Sequence, residues 1–131
     1  MCHSEHMSVI RASRLQPING QGSIYWPLAT PSTGASELIV ARVAKTPGNP
    51  GSIHAHDHEE VVVVLSGLAM AVVDGEQTRL ATGDVLIISA GQLHQVTAIG
   101  DESFECLIAK PAGTRFLDSD GQVMTTPAWM V

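Results

Sequence analysis

Three histidines and one glutamate carry side chains that bind divalent metals, and each lies beside a short apolar segment. His54 and His56 are two residues apart, so on a β-strand both imidazoles point to the same face. Glu60 shares their parity, but in a straight strand it would lie roughly 20 Å from His54, at about 3.3 Å per residue. We therefore expect a bend over the polar residues 57–59. His94 follows a glycine-containing turn and can point inward from the start of the next strand.

These four side chains form a mixed nitrogen and oxygen set, with three neutral imidazoles and one carboxylate. Such a set suits one divalent transition metal ion, which can be iron, manganese, nickel, copper, cobalt or zinc. A single histidine is usually a surface or hydrogen-bonded core residue, but four ligand-type residues at turn-to-strand junctions favour a metal site. An octahedral ion with four protein ligands keeps two positions for water or substrate. The predicted ligands are His54, His56, Glu60 and His94, and Glu60 is also the candidate catalytic base.

The elements that must position these residues are short strands separated by glycine-containing turns. β-Branched and apolar runs end at signals such as Asp74-Gly75, which is a favoured two-residue hairpin turn. No helical periodicity persists over three turns. The sequence therefore predicts an all-β fold, a sandwich or a barrel. The predicted strands cover residues 37–44, 61–65, 68–73, 77–80, 85–88, 95–99 and 104–109.

Composition and charge limit the class of protein. The chain has 131 residues, of which 44% are hydrophobic, enough for one domain with a real core. Seven basic residues against thirteen acidic ones give a formal charge of -6, which predicts no nucleic-acid and no membrane partner. The longest strongly apolar run is too short to cross a bilayer, and no stretch near the N-terminus has signal-peptide character. We expect a cytoplasmic protein.

One predicted strand differs from the others in its pattern. Residues 61–65 are apolar at every position, whereas a strand with one solvated face alternates. Both faces of this strand are therefore expected to be covered. The cover is either a second subunit, which would make a homodimer, or another segment of the same chain.

The stretch from Gly48 to Gly67 resembles the first motif of the cupin family. Five residues separate Gly48 from His54, and one separates His54 from His56. Three residues then precede Glu60, and six separate Glu60 from Gly67. Every position of the motif is matched.

A later stretch resembles the second cupin motif, with Gly83, Gly91 and His94 at the family's spacing. Ser89 stands where the family usually has proline, and Ala98 stands where it usually has asparagine. Neither position holds a metal ligand, so these departures affect the local turn more than the metal site. The chain is therefore similar to small single-domain cupins over residues 36–111.

This resemblance implies a double-stranded β-helix, or jelly roll, with the metal inside the barrel and substrate entering at one open end. It also assigns the ligand positions to His54, His56, Glu60 and His94. We expect residues 21–131 to form this single cupin barrel and residues 1–20 to be a flexible N-terminal segment or an edge strand.

Several further residues are candidates for a substrate pocket, with core packing as the alternative for each. Phe104 and Cys106 share one parity while the charged Glu105 has the other, so the apolar pair is expected to point into the barrel. Two aromatic residues before Pro27 can close the barrel mouth. The candidate substrate-binding residues are Tyr25, Trp26, Met70, Phe104 and Cys106.

The leading functional hypothesis is a metal-dependent enzyme whose small organic substrate chelates the ion through adjacent oxygens. Dioxygenase-like oxygenation, isomerisation and ring-closing cyclase chemistry all fit this arrangement. The rival hypothesis is a non-catalytic module that binds or senses a small ligand around a structural metal, since a fold does not determine a function. The sequence leaves catalysis itself open.

Overall fold

The computed structural model describes residues 7–20 and 22–131, which form an almost entirely β structure. Residues 1–6, which begin the segment expected to be flexible or to form an edge strand, lie outside this range. The all-β class predicted from the sequence is confirmed. Short 3-10 helices cover Ala12–Arg14, Pro31–Thr33 and Ala128–Met130. The strands are β1 (Ile18–Gly20), β2 (Ser23–Ala29), β3 (Leu38–Lys45), β4 (Ala55–His56), β5 (Glu60–Ser66), β6 (Leu68–Val73), β7 (Glu76–Leu80), β8 (Val85–Ile88), β9 (His94–Ile99), β10 (Phe104–Pro111) and β11 (Phe116–Leu117).

The strands form two main sheets and one short ribbon. The larger sheet has six strands in the order β1-β2-β3-β10-β5-β8, and the smaller has three in the order β7-β6-β9. The short strands β4 and β11 pair with each other. Neighbours within each sheet run antiparallel. Strands distant in the sequence are therefore adjacent, as β3 and β10 show.

The hydrophobic core lies between the two main sheets. In β5, Val62 and Val64 are buried, and their alternating neighbours are partly exposed. In β6 of the other sheet, Ala69 and Ala71 are buried in the same cluster. This period-two burial is what a sheet with one core-facing side requires.

The outer face of the larger sheet is also apolar. Val61 and Val63 are partly exposed there, and their partners on β8 are Ile87 and Val85. These two β8 residues are 60% and 56% exposed. The described part of the chain therefore leaves the β8 side of this face uncovered, and a homodimer stays a prediction.

Strand β2 was not predicted from the sequence, because Pro27 interrupts its pattern. Proline has no N–H to donate to a neighbouring strand. The pairing of β2 with β3 accommodates it through a register shift between Pro27 and Ala29. The predicted bend over residues 57–59 is present, since β4 ends at His56 and β5 begins at Glu60.

Among the described residues, no helix has the length and hydrophobicity that crossing a bilayer requires.

Candidate metal centre

Strand ends and short pairings bring the three predicted histidines together. His54 forms an isolated antiparallel bridge with His94, the first residue of β9, through backbone hydrogen bonds of 3.1 and 2.9 Å. His56 ends β4, where it pairs with Phe116 of β11. The ring centroid of His54 lies 4.8 Å from that of His56 and 4.5 Å from that of His94. The three imidazoles therefore form one cluster.

Backbone carbonyls lie beside Nδ1 of two of these rings. Nδ1 of His54 lies 3.1 Å from the carbonyl oxygen of Ser52, and Nδ1 of His94 lies 2.9 Å from that of Gln92. Since a carbonyl oxygen only accepts hydrogen bonds, Nδ1 of His94 carries the proton and donates it, whereas Nδ1 of His54 also has the Ser52 hydroxyl at 3.0 Å, which can donate or accept. In the neutral His94 ring, Nε2 then keeps the lone pair that can bind a metal.

The surroundings of His56 indicate whether the cluster fits a metal ion. Its side chain is almost fully buried, and neither Nδ1 nor Nε2 has a hydrogen-bond partner within the described residues. Unpaired buried ring nitrogens cost free energy unless a ligand satisfies them.

The spacing of the ring nitrogens also fits an ion. One nitrogen from each of His54, His56 and His94 lies within 4.8 Å of the others. Two nitrogens bound to one ion at about 2.1 Å lie about 3.0 Å apart at a right angle and at most about 4.2 Å apart, so side-chain movements of up to about 2 Å bring the three into coordination. The residues present therefore fit a divalent metal.

Burial keeps two of the imidazoles neutral. It lowers the pKa of His54 from 6.5 to about 4, with repulsion from His94 as the next cause. Burial likewise lowers the pKa of His56 to about 3, and the attraction of Glu60 only partly opposes this. A neutral imidazole is the form that coordinates a metal, so both rings are ready to bind at physiological pH.

Glu60 lies beside the histidine cluster and is held by a buried lysine. Its Oε1 is 3.9 Å from Nε2 of His94, and its Oε2 accepts a 2.9 Å hydrogen bond from Nζ of Lys110. Glu60 is 6% exposed and Lys110 is 3% exposed. Burial alone would raise the pKa of Glu60, but the charge and the hydrogen bond of Lys110 oppose this, and the pKa is lowered. Glu60 is thus ionised next to the cluster, and its roles as fourth ligand and base stay predictions.

Lys110 and Phe116 contact the site, and sequence reasoning selected neither. The ring of Phe116 stacks on His54 at 5.0 Å and meets His56 edge-on at 4.5 Å, while Nζ of Lys110 lies 4.8 Å from its centroid. The alternation that turns Cys106 inward extends along β10 to Lys110, so parity could have identified it. No local pattern marks Phe116, because it reaches the site only through the pairing of β11 with β4.

A cavity of about 370 Å³ opens beside the cluster. This volume falls within the range of small-molecule pockets. His54, Glu60, His94 and Lys110 all line it, whereas His56 is not among the lining residues. A molecule in the cavity would therefore face two of the three histidines directly.

Two of the predicted substrate-binding residues also line this cavity. Tyr25 and Cys106 both belong to its wall, and the Tyr25 ring packs against Trp129 with centroids 5.5 Å apart. Burial raises the pKa of the Cys106 thiol to about 12, so it is a neutral wall group and not a nucleophile.

The other three candidates lie away from the cavity. Trp26 turns to the outer face of the sheet, where Cζ of Arg42 lies 3.9 Å from its ring centroid. Phe104 is fully buried in the hydrophobic core. Met70 stands between two buried alanines of β6, so strand alternation turns it to the other face. The structure does not bring Trp26, Phe104 or Met70 to the cavity wall.

Two known proteins are similar to this chain in sequence. The chain is 28% identical over 94 residues to the tetracenomycin polyketide synthase protein TcmJ of Streptomyces glaucescens, covering 70% of this chain and 63% of that protein. It is 29% identical over 72 residues to the pectin degradation protein KdgF of Dickeya dadantii, covering 54% of this chain and 66% of that protein. The matches thus span just under two thirds of each curated relative.

Solved structures share the fold at lower identity. The structure of KdgF from Halomonas sp. superposes with a TM-score of 0.70 at 20% identity, covering 81% of this chain and 94% of that one. The polyketide cyclase RemF from Streptomyces resistomycificus gives a TM-score of 0.72 at 17% identity, covering 83% and 82%. These likenesses agree with the predicted double-stranded β-helix. The cupin domain family model matches residues 42–110, which is more than half of the sequence, and the chain therefore belongs to the cupin family.

Proposed function

We propose that this cupin is a metal-dependent enzyme acting on a small organic molecule bound in the cavity. His54, His56, His94 and Glu60 would hold one divalent transition metal ion. The observation that carries the proposal is the convergence of three histidine nitrogens beside a cavity that also exposes Glu60 and Lys110. With four protein ligands, an octahedral ion keeps two positions for water or substrate, whereas a tetrahedral ion would be closed as in structural sites. When bound, the ion would supply Lewis-acid activation of substrate oxygens.

The surrounding residues have separable roles in this proposal. Glu60 is ionised, so it can bind a cation or accept a proton from a substrate carbon or hydroxyl. Lys110 holds Oε2 of Glu60 and so leaves Oε1 directed at His94. Phe116 covers the rings of His54 and His56 on one side and limits the access of water to them.

The relatives support an enzyme in preference to a storage or sensing module. Their names place one in a polyketide synthase and the other in pectin degradation. Isomerisation, ring-closing cyclase chemistry and dioxygenase-like oxygenation are the candidate reactions for this chain. The alternative is a non-catalytic small-ligand module in which the same ion only stabilises the barrel.

An open coordination site can be tested with Co²⁺, whose visible absorption reports the ligands around it. Protein loaded with one equivalent of Co²⁺ would be titrated with catechol, a molecule with two adjacent oxygens. We expect the absorption bands to shift as catechol binds, and we expect turnover of an enolisable or phenolic substrate to be lost in His94→Ala. Bands that do not respond to catechol would contradict the open site and favour the structural alternative.

A matched histidine variant serves as the control for these measurements. His58 is half exposed, forms a 2.8 Å hydrogen bond with Asp57, and does not belong to the histidine cluster. His58→Ala should therefore keep the Co²⁺ bands and their response to catechol. His94→Ala should fold but lose the bands.

A further inference from the structure

Lys45 lines the same cavity as the histidines. It ends β3, where it pairs with Phe104, whereas Lys110 pairs with Ile39 six positions earlier on that strand. Six positions correspond to roughly 20 Å of strand at about 3.3 Å per residue. The two lysines thus rise from opposite ends of the β3–β10 pair.

The ammonium of Lys45 lies at the cavity wall. Lys45 shares the inward parity of the buried residues Ala41 and Val43. Its Nζ would be 2.9 Å from a Cβ placed on Gly51, another lining residue.

Lys45 is partly buried and differs from the buried Lys110 in having no anionic partner within the described residues. Within residues 7–20 and 22–131, no carboxylate lies within salt-bridge distance of its Nζ. Lys110, in contrast, is paired with Glu60 at 2.9 Å. Burial lowers the pKa of Lys45, and the attraction of Glu60 only partly opposes this. An anion bound in the cavity would compensate the lost hydration of this ammonium.

The cavity between the histidines and Lys45 is mostly apolar. Val43, Val62, Val96 and Ile108 line it, together with the neutral thiol of Cys106. The cavity wall therefore combines metal-binding histidines, apolar side chains and the ammonium of Lys45, which starts from the far end of β3. A ligand that fits all three has two adjacent oxygens, a hydrocarbon body and an anionic group on its far side.

We propose that the cavity takes a small organic acid whose carboxylate is bound by Lys45 while its other oxygens face the histidine cluster. This inference rests on the proposed function, because it uses the same cavity and the same metal-facing end. It adds the substrate class, an organic acid in preference to a neutral diol or ketone. Lys45 is a substrate-binding residue in this scheme and takes no part in bond making.

The test uses a matched pair of probes, 3,4-dihydroxybenzoate and its neutral analogue 3,4-dihydroxybenzamide. Both present two adjacent oxygens to the metal end, and only the first carries a carboxylate on the far side. Isothermal titration calorimetry would measure both Kd values with metal-loaded and metal-free protein. We expect wild type to bind the acid at least about tenfold more tightly than the amide, as expected for a charge-assisted contact.

Two variants separate the local contact from the change in net charge. Lys45→Met should remove the preference for the acid while metal content and melting temperature stay unchanged. Arg79→Met removes the same charge from an exposed position on β7 and should keep the preference. Retention of the preference in Lys45→Met, or its loss in Arg79→Met, would overturn the assignment.

The outcome also distinguishes this inference from the proposed function. If one equivalent of metal binds but wild type binds acid and amide equally, or binds neither, the organic-acid inference is wrong and the metal site stands. If no metal binds and the Lys45-dependent preference persists in the metal-free protein, the inference stands and the metal-dependent enzyme does not. If the protein binds no metal and shows no preference for the acid, both the organic-acid inference and the proposed function are wrong.

Discussion

Lys110→Met removes the one hydrogen bond that the carboxylate of Glu60 accepts among the described residues. Methionine retains much of the lysine stem, so charge is the main property that changes. Removing one partner of a buried ion pair costs about 3–5 kcal/mol. Glu60 can limit this cost by taking up a proton. Protonating the carboxylate costs about 1.4 kcal/mol for each pH unit above its ordinary pKa of 4.5. The free energy of unfolding at pH 7 should therefore fall by about 3 kcal/mol.

This loss has a pH dependence that a packing defect would not have. In wild type, Glu60 has a lowered pKa and stays ionised between pH 5.5 and 7, folded or unfolded. In Lys110→Met, the folded state binds a proton that the unfolded state releases, so the stability of the variant rises relative to wild type as pH falls. The difference should shrink by about 1.4 kcal/mol per pH unit, from about 3 kcal/mol at pH 7 to about 1 kcal/mol at pH 5.5.

Urea unfolding in the presence of a chelator measures this difference at each pH. The double variant Glu60→Gln/Lys110→Met is the control, because it has no buried carboxylate left to titrate. Its stability relative to wild type should not change between pH 5.5 and 7. The role given to the buried ion pair is wrong if Lys110→Met lowers the free energy of unfolding by the same amount at both pH values. It is also wrong if the decrease is below about 1 kcal/mol at both.

Two further predictions concern the histidines and one turn. Because burial lowers the pKa of His54 to about 4 and that of His56 to about 3, the unfolded chain binds protons that the folded chain excludes. Metal-free protein should therefore lose stability as pH falls from about 6.5 to 4, and a urea midpoint constant over that range would contradict this. Gly67 and Gly75 both have positive φ, but a Cβ on Gly67 would clash with the carbonyl oxygen of Ser103, while one on Gly75 meets nothing within 4 Å. Gly67→Ala should lower the melting temperature clearly more than Gly75→Ala, and equal effects would show that the clash is relieved.

The strands were largely predictable from the sequence because their signals are local. Apolar runs that end at glycine turns identify β6 and β8 with the bounds seen in the structure, Leu68–Val73 and Val85–Ile88. The order of strands in the sheets was not predictable in this way, because pairings such as β3 with β10 join distant segments. Strand β2 was missed since Pro27 is disfavoured within a strand.

The site was predicted in part for the same reason. Short-range spacing and turn positions selected His54, His56 and His94, which the structure brings together. Lys110 was missed although it has the inward parity of β10, because a lysine is expected in water unless a buried partner holds it. That partner, Glu60, lies on a different strand, and only the pairing of β5 with β10 brings the two together.

The metal content of the protein tests the central claim most directly. Wild type, His56→Ala and His58→Ala would be purified without a histidine tag, loaded at neutral pH, desalted and measured by elemental analysis. Since both ring nitrogens of His56 are buried without a partner within the described residues, that residue should be essential for binding. We predict one equivalent of a divalent transition metal in wild type and in His58→Ala, and a large loss in His56→Ala. Wild-type protein that retains no metal, or His56→Ala protein that retains a full equivalent, would contradict the histidine metal centre.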